Sequence, residues 1–320
     1  MTNLYIVSTQ YHLLISIVKI ILANRIGKDI IIFMYRDQVS SIAIKNASFV
    51  FKEVLCFNRF NVLANLICYK LKLHKIPLLS YFIKKKNKFN PKWFQEKEIF
   101  IFNDNSYMGC YLNIHKIKYN LIEDGLNFFK INPFNYVQNN KLYKLFGLDW
   151  EFLSKSKYTK SIEVNDTHHL WLKSDKIREL NREEMFRKLN PKDIDSIANI
   201  FNYKPIQLSN SNRKTLLLTQ PLDKGIMSHD RKIKLYKHLV KQYAVGTLYI
   251  KMHPREKENY SKIFPDAIIL GNNTIPFEIF QLKEKLRFNR AITTFSKVID
   301  SISCADEKIF MGEEWTMNFK

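Results

Sequence analysis

The chain has 320 residues, 46% hydrophobic and 14% aromatic, and its 51 Lys and Arg against 30 Asp and Glu give a formal net charge of +21. That much apolar material excludes a disordered chain, and eight Gly and nine Pro are too few for a collagen-like or Gly-rich repeat. Four widely spaced cysteines with no CxxC pair (Cys56, Cys68, Cys110, Cys304) exclude a disulfide scaffold and read as reduced, mostly buried thiols of a cytoplasmic protein.

In chain order, Leu4–Val7 is a short apolar strand, followed by the polar turn Ser8-Thr9-Gln10 and a helical pattern over Tyr11–Asn24. The apolar stretch His12–Ala23 is interrupted by Lys19, falls short of the roughly 20 residues of a membrane span, and lacks the basic flank of a signal peptide. Asp29–Tyr35, Ile99–Phe102 and Tyr119–Ile122 read as further buried strands separated by helix-length segments. Residues 141–200 are rich in charge and read as helices and connections, and Ser209-Asn210-Ser211-Asn212 has the composition of a linker. A second strand–helix series follows: strands at Thr215–Thr219, Thr247–Met252, Ala267–Leu270, Arg290–Thr294 and Ile309–Met311, and a helix over Ser228–Tyr243. The pattern predicts two α/β halves, 1–208 and 209–320, each a parallel sheet with helices on both faces. Ligands of such sheets bind beyond the carboxyl ends of the strands, so the polar residues that follow each strand are the candidates for chemistry.

Five such places stand out. Glu123-Asp124-Gly125 follows the strand ending at Ile122, and either carboxylate there suits a general base on a sugar hydroxyl. His253-Pro254-Arg255 follows Tyr249–Met252; Pro254 holds His253 extended, and Lys251 and Arg255 make the neighbourhood attractive to an anion. Thr293-Thr294-Phe295-Ser296 precedes a predicted helix over Lys297–Ser303 and offers hydroxyls and backbone N–H groups to a phosphate, or serves as an ordinary N-cap. Glu278, in the first turn after Pro276, suits a ribose diol or the helix dipole. Asp223, after the first strand of the second half, is a second candidate base.

Other patterns carry less. Asp193-Ile194-Asp195 has the form of a metal-binding DxD, but Asn190-Pro191 ahead of it marks a helix start with first-turn acids. No Walker loop or GxGxxG occurs, and no metal-ligand spacing accompanies His168-His169. Lys84-Lys85-Lys86-Asn87-Lys88, among Tyr81, Phe82, Phe89 and Trp93, suits an anionic membrane face or a nucleic acid, or is a solvated loop. No signature of a specific nucleic-acid-binding module is present, so no specific nucleic-acid partner is expected.

The order and spacing of these motifs resemble the bacterial sialyltransferases. The stretches Ser8–His12, Ile122–Gly125, Leu217–Asp223, His253–Arg255, Pro276–Glu278 and Thr294–Ser296 look like those of the lipooligosaccharide sialyltransferases, glycosyltransferase family 52, and share signatures with the polysialyltransferases. The resemblance implies a GT-B fold, two Rossmann-like domains facing across a cleft, with an acceptor-side domain over 1–208 and a nucleotide-sugar domain over 209–320. It implies an inverting transfer of sialic acid from CMP-sialic acid to a hydroxyl of a cell-surface glycan such as lipooligosaccharide or capsule, without a metal. His253 would bind and protonate the CMP phosphate, with Pro254, Thr293, Thr294, Ser296 and Gly125 in the donor site and Glu278 on the ribose. The base would be Glu123 or Asp124 as in one branch, or Asp223 as in the other. A hexose donor on a UDP-sugar is the alternative. The expected location is cytoplasmic, with peripheral contact to the anionic inner membrane face through the basic loop.

Overall fold

A computed structural model of the chain describes residues 1–34, 38–71, 90–125, 129, 145–146, 155–296, 299 and 302–319. Contacts divide it into two compact units, Met1–Asn190 and Pro191–Lys320.

The first unit begins β1 (Thr2–Val7), α1 (Gln10–Leu22), β2 (Ile30–Phe33), α2 (Ser41–Asn46), β3 (Glu53–Cys56), α3 (Arg59–Lys70) and α4 (Pro91–Gln95). It continues β4 (Lys97–Ile101), α5 (Tyr107–Ile114), β5 (Tyr119–Ile122), β6 (Thr159–Val164), β7 (Ile177–Glu179) and α6 (Arg182–Arg187). The strands form one sheet in the order β3-β2-β1-β4-β5-β6-β7. Every pair is parallel, with Leu4 of β1 opposite both Ile30 and Ile99. One sheet face, carrying Leu4, Ile6, Ile32, Ile99 and Ile101, packs with Val62 and Leu66 of α3 and Met108 and Leu112 of α5. Neighbouring residues point the other way, and there α1 lies: His12 stacks on Phe102 at 4.3 Å, and the Lys19 ammonium sits 4.9 Å above Phe100 while pairing with Glu163 of β6.

The second unit holds α7 (Pro191–Ile200), β8 (Lys214–Leu218), α8 (His229–Tyr243), β9 (Thr247–Lys251) and α9 (Tyr260–Ile263). Then come β10 (Ile268–Ile269), α10 (Phe277–Glu284), β11 (Phe288–Thr293), β12 (Ala305–Phe310) and α11 (Glu313–Asn318). Its sheet order is β10-β9-β8-β11-β12, again all parallel. Leu217, Ile250 and Ile292 of the central strands bury against Leu235, Tyr236 and Leu239 of α8 and Tyr260 of α9.

The division between units falls at Asn190/Pro191, ahead of the 208/209 boundary that the polar cluster suggests. The reason is α7, which packs on α10 with Asp195 paired to Lys283 at 2.5 Å, so that it joins the second unit. Asp193 and Asp195 are thereby acids in the first half of a helix. The stretch expected to hold only helices and connections also supplies β6 and β7, and β3 is an unforeseen edge strand. The basic, aromatic run Tyr81–Phe89 and most of the predicted helix over Lys297–Ser303 lie outside the described residues. No described helix is long and apolar enough to cross a membrane.

Helix α5 starts so close to the preceding turn that a Cβ on Gly109 would lie 1.7 Å from the Asp104 carbonyl oxygen. The obstacle is backbone and has no rotamer to escape into. Gly109→Ala is expected to destabilise the first unit by about 3 kcal/mol or more, the upper range of overpacking, read as a lowered urea midpoint. A midpoint equal to the parent's would refute the close approach.

Candidate active site

In the first unit, the groups of interest stand at the carboxyl ends of β1, β4 and β5. The chain leaves β1 through Ser8 and enters α1 with Thr9 as N-cap, its hydroxyl accepting the His12 N–H at 3.2 Å. This brings the buried His12 ring over Phe102 and against Asp124. The Ser8 N–H donates to His12 Nδ1 at 3.2 Å, so the ring proton resides on Nε2. Nε2–H then meets Asp124 Oδ1 at 2.5 Å and the Asp124 carbonyl at 3.1 Å. The other carboxylate oxygen, Oδ2, accepts Asn103 Nδ2–H at 3.0 Å. Asn103 is itself oriented, because its Oδ1 accepts the Asn105 N–H and its carbonyl accepts the Ser106 hydroxyl. Behind it, buried Asp104 accepts the Tyr119 hydroxyl at 2.8 Å.

The adjacent carboxylates Glu123 and Asp124 are therefore different in kind. Asp124 is 30% exposed and held by two side-chain donors. Glu123 is 3% exposed and turned inward, accepting backbone N–H groups from Asn165 at 2.7 Å and Phe129 at 3.4 Å. Glu123 ties β5 to the segment after β6; Asp124 faces outward, and a Cβ on Gly125, which follows it, would meet no atom of the described residues within 4 Å. Gln10, at the start of α1, is buried with neither amide atom paired among the described residues.

In the second unit, β9 delivers Lys251 and His253. Burial pulls the Lys251 ammonium down to about 8, opposed by the charge of Glu278 in the first turn of α10. Burial in turn pushes the Glu278 carboxyl up. His253 is held down at about 4 by burial first and then by the cations Arg255, Lys251 and Lys224, so it is neutral near pH 7. The Arg255 N–H donates to His253 Nδ1 at 3.1 Å, which again leaves the proton on Nε2. Pro254 is exposed, and Asn273 Nδ2 closes the turn by donating to the carbonyls of Pro254 at 3.0 Å and Glu256 at 2.6 Å.

The hydroxyl cluster is less available than expected. Thr293 is fully buried and spends its hydroxyl on the Leu218 carbonyl and the Ser296 N–H. Thr294 is also fully buried, beside the Tyr236 hydroxyl, and Ser296 is 9% exposed. Of the cluster, only the Thr293 side chain braces β11 against β8; the buried Thr294 hydroxyl has no hydrogen-bond partner among the described residues. Asp223 sits at 3.1 Å from Lys232, whose charge outweighs burial and holds the carboxyl below its ordinary value. Such a carboxylate is a weak base. Among the described residues no group of His, Cys, Asp and Glu is arranged to hold a metal ion.

Asn103 and the buried Lys232 with Glu256 are features of these two edges that motif reading misses, and His12, within the Ser8–His12 stretch, receives no role from it. Asn103-Asp104-Asn105-Ser106 is a polar run directly after a strand, the signal that singled out the other places, and it deserved equal weight. Lys232 leaves no trace, since a lysine in an amphipathic helix reads as solvated.

The family model for glycosyltransferase family 52 matches residues 60–312. An uncharacterised protein of Haemophilus influenzae is 30% identical over 230 residues, 70% of this chain and 70% of the relative. Among solved structures, a 2,6-sialyltransferase of a Photobacterium species, in complex with CMP and lactose, superposes with a TM-score of 0.58 at 12% identity, over 97% of this chain and 71% of that one. A sialyltransferase from Photobacterium damsela gives 0.51 at 12% identity, over 97% of this chain and 74% of that one. Those two likenesses establish the architecture, two parallel-sheet α/β domains of GT-B type. The family match runs from α3 to the residue before α11, through the strand ends of both units, and on that ground the chain belongs to glycosyltransferase family 52 and is a glycosyltransferase.

Proposed function

We propose that this glycosyltransferase is a sialyltransferase that moves sialic acid from CMP-sialic acid to a hydroxyl of a glycan, with inversion and without a metal. The observation that carries the reading is the Asp124 carboxylate, held by the His12 Nε2–H and the Asn103 amide at the strand edge of the first unit. Both neighbours donate, so neither competes for the proton that a base must accept. In the reaction the acceptor oxygen bonds to the anomeric carbon and Asp124 takes its proton. The bond from that carbon to the phosphate oxygen breaks, and CMP leaves with the electron pair.

The second unit suits that leaving group. A phosphate monoester needs a modest positive site, and Lys251 and the His253 Nε2–H supply one charge and one directed donor. His253 begins neutral, so its first role is to donate a hydrogen bond; the arriving phosphate charge opposes the effect of the neighbouring cations and raises its proton affinity. Glu278 is assigned to the ribose hydroxyls, and the main chain of Gly125, Pro254 and Thr293–Ser296 is kept in the donor site on the family resemblance. Asp124 is preferred to Asp223 as base because Lys232 holds Asp223. The two solved neighbours, both sialyltransferases, one of them with CMP and lactose, support this choice of donor. The excess of basic residues fits an acidic donor and an anionic membrane face nearby.

Three outcomes are expected. Incubated with CMP-sialic acid and galactose-terminated oligosaccharides in EDTA, the protein should release CMP, and His253→Ala should abolish the release. Failure with every acceptor, together with turnover of a UDP-sugar, would replace the donor by a hexose nucleotide. Asp124→Asn should lower kcat roughly 10²–10⁴-fold, with a smaller loss of stability because one of its two donors then faces an amide NH2. Glu123→Gln should instead cost about 1–3 kcal/mol of stability, by weakening bonds to buried N–H groups. An equal loss of kcat in the two variants would sink the assignment of the base.

The pH dependence follows from His253. Its folded value of about 4 lies below the ordinary 6.5, so the unfolded chain takes up the proton first as pH falls. Stability contributed by keeping this ring neutral is complete above 6.5 and is lost between 6.5 and about 4. Urea unfolding at several pH values should show a shallower decline in that window for His253→Gln than for the parent; parallel curves would contradict the shift.

A further inference from the structure

We propose that Lys232 is the positioning residue of the donor site, a buried internal cation that fixes Glu256 and, through Glu256 and Thr219, the turn that aims His253. The proposal rests on the donor reading above for its kinetic consequences, but not for its geometry.

Lys232 projects inward from α8 with its side chain 2% exposed. Its ammonium lies 3.1 Å from Asp223 Oδ2, 3.1 Å from Glu258 Oε2 and 3.5 Å from Glu256 Oε1. Burial alone would lower its proton affinity; the bonds to Glu258 and Asp223 and the charge of Glu256 reverse that, and the ammonium stays charged. Three carboxylates thus converge on one ammonium, with His229 bonded to Glu258 at 2.7 Å. The cation that balances them is part of the chain.

The consequence travels by hydrogen-bond direction. Glu256 Oε1 accepts the Tyr260 hydroxyl at 2.8 Å, and Oε2 accepts the Thr219 hydroxyl. With its proton committed to Glu256, Thr219 has only lone pairs to offer, and one of them accepts the His253 N–H at 3.3 Å. The His253 main chain is thus pinned to the end of β8. Its ring is fixed within the same turn by the Arg255 N–H on Nδ1, so the pose of the turn sets the direction of Nε2–H. None of Lys232, Glu256 and Thr219 touches a reacting atom in this account; they act through His253.

The test pairs Thr219→Val with Thr219→Ser and adds Lys232→Met. The measurements are CMP binding by calorimetry, donor and acceptor KM, unfolding midpoint, and the ¹⁵N resonances of the His253 ring. Thr219→Val should weaken CMP binding and raise donor KM about tenfold, the worth of one hydrogen bond near a charge, and should lower the midpoint because buried Glu256 loses a donor, while acceptor KM stays near the parent's. Thr219→Ser should restore CMP binding. Lys232→Met should weaken CMP binding in the same sense and also lower the midpoint. The proposal is overturned if Thr219→Val binds CMP within about twofold of the parent, or if Thr219→Ser loses as much as Thr219→Val. Should the parent bind no CMP, the donor reading fails by itself, and the ring resonances decide the positioning role. They must shift in Thr219→Val and not in Thr219→Ser, and unmoved resonances in both would overturn it.

Discussion

Parallel pairing is the constraint on which the rest of this molecule depends. Because every strand pair in both sheets is parallel, all carboxyl ends in a sheet lie along one edge. The chain returns through helices on the faces, so both faces are apolar and only the edge is left for polar work. Asp124 follows β5, Asn103 follows β4 and His12 stands just past β1, residues far apart in sequence that the edge makes neighbours. The chain leaves β1 on one side to β2 and later returns on the other as β4, opening the sheet between them at its edge. The second sheet repeats the arrangement about β8, with β9 on one side and β11 on the other.

Both histidines at these edges are oriented by the same device. A backbone N–H donates to Nδ1, from Ser8 in one case and Arg255 in the other, and the ring proton is thereby left on Nε2. The outcome differs with the partner. His12 spends its Nε2–H on Asp124 and keeps that carboxylate oriented as an acceptor. His253 stands among cations, and its Nε2–H is suited to an anion arriving from solution. In the proposed role, a neutral donor in a positive setting would take a phosphate without first displacing an internal carboxylate and would gain proton affinity as that charge arrives.

The strands that the sequence shows clearly are the ones buried on both faces, such as Ile30–Phe33 and Leu216–Leu218, because burial there demands an unbroken apolar run. β6 and β7 carry Lys160, Glu163, Arg178 and Glu179, and nothing in such a run distinguishes a sheet margin from a charged connection. The division between the units was hidden for a related reason. A polar run such as Ser209–Asn212 marks exposure, whereas membership of a unit is decided by where α7 packs, a long-range fact. The same split applies to the site. Asp124 and His253 are legible because Gly125 and Pro254 punctuate the strand ends beside them. That Glu123 turns inward while Asp124 turns outward is decided by the N–H groups of Asn165 and Phe129, which no local pattern announces. Thr293 and Thr294 carry the right chemistry at the right strand end, but the Thr293 hydroxyl is spent on the Leu218 carbonyl and that of Thr294 is buried without a partner among the described residues.

The two buried lysines of the second unit show how a fold separates structure from reception. Lys232 is surrounded by Asp223, Glu256 and Glu258, and their charges more than offset its burial, so its proton is held more tightly than in water. Lys251 is buried at the end of β9 with carbonyl oxygens of Met252 and Asn273 at 3.2 and 3.4 Å and the charge of Glu278 to oppose the loss of water, and its proton is held less tightly, at about 8. A cation whose partners are complete has nothing to gain from an incoming anion. One whose partners are incomplete recovers, on binding a phosphate, part of what burial removed. The turn that follows Lys251 is held independently of it, by Asn273 on one side and by Glu256 and Thr219 on the other. Lys232 and Lys251 thus stand at opposite ends of one scale, the first with its charge matched by carboxylates and the second with its charge only partly opposed, and it is the second that suits the proposed donor phosphate.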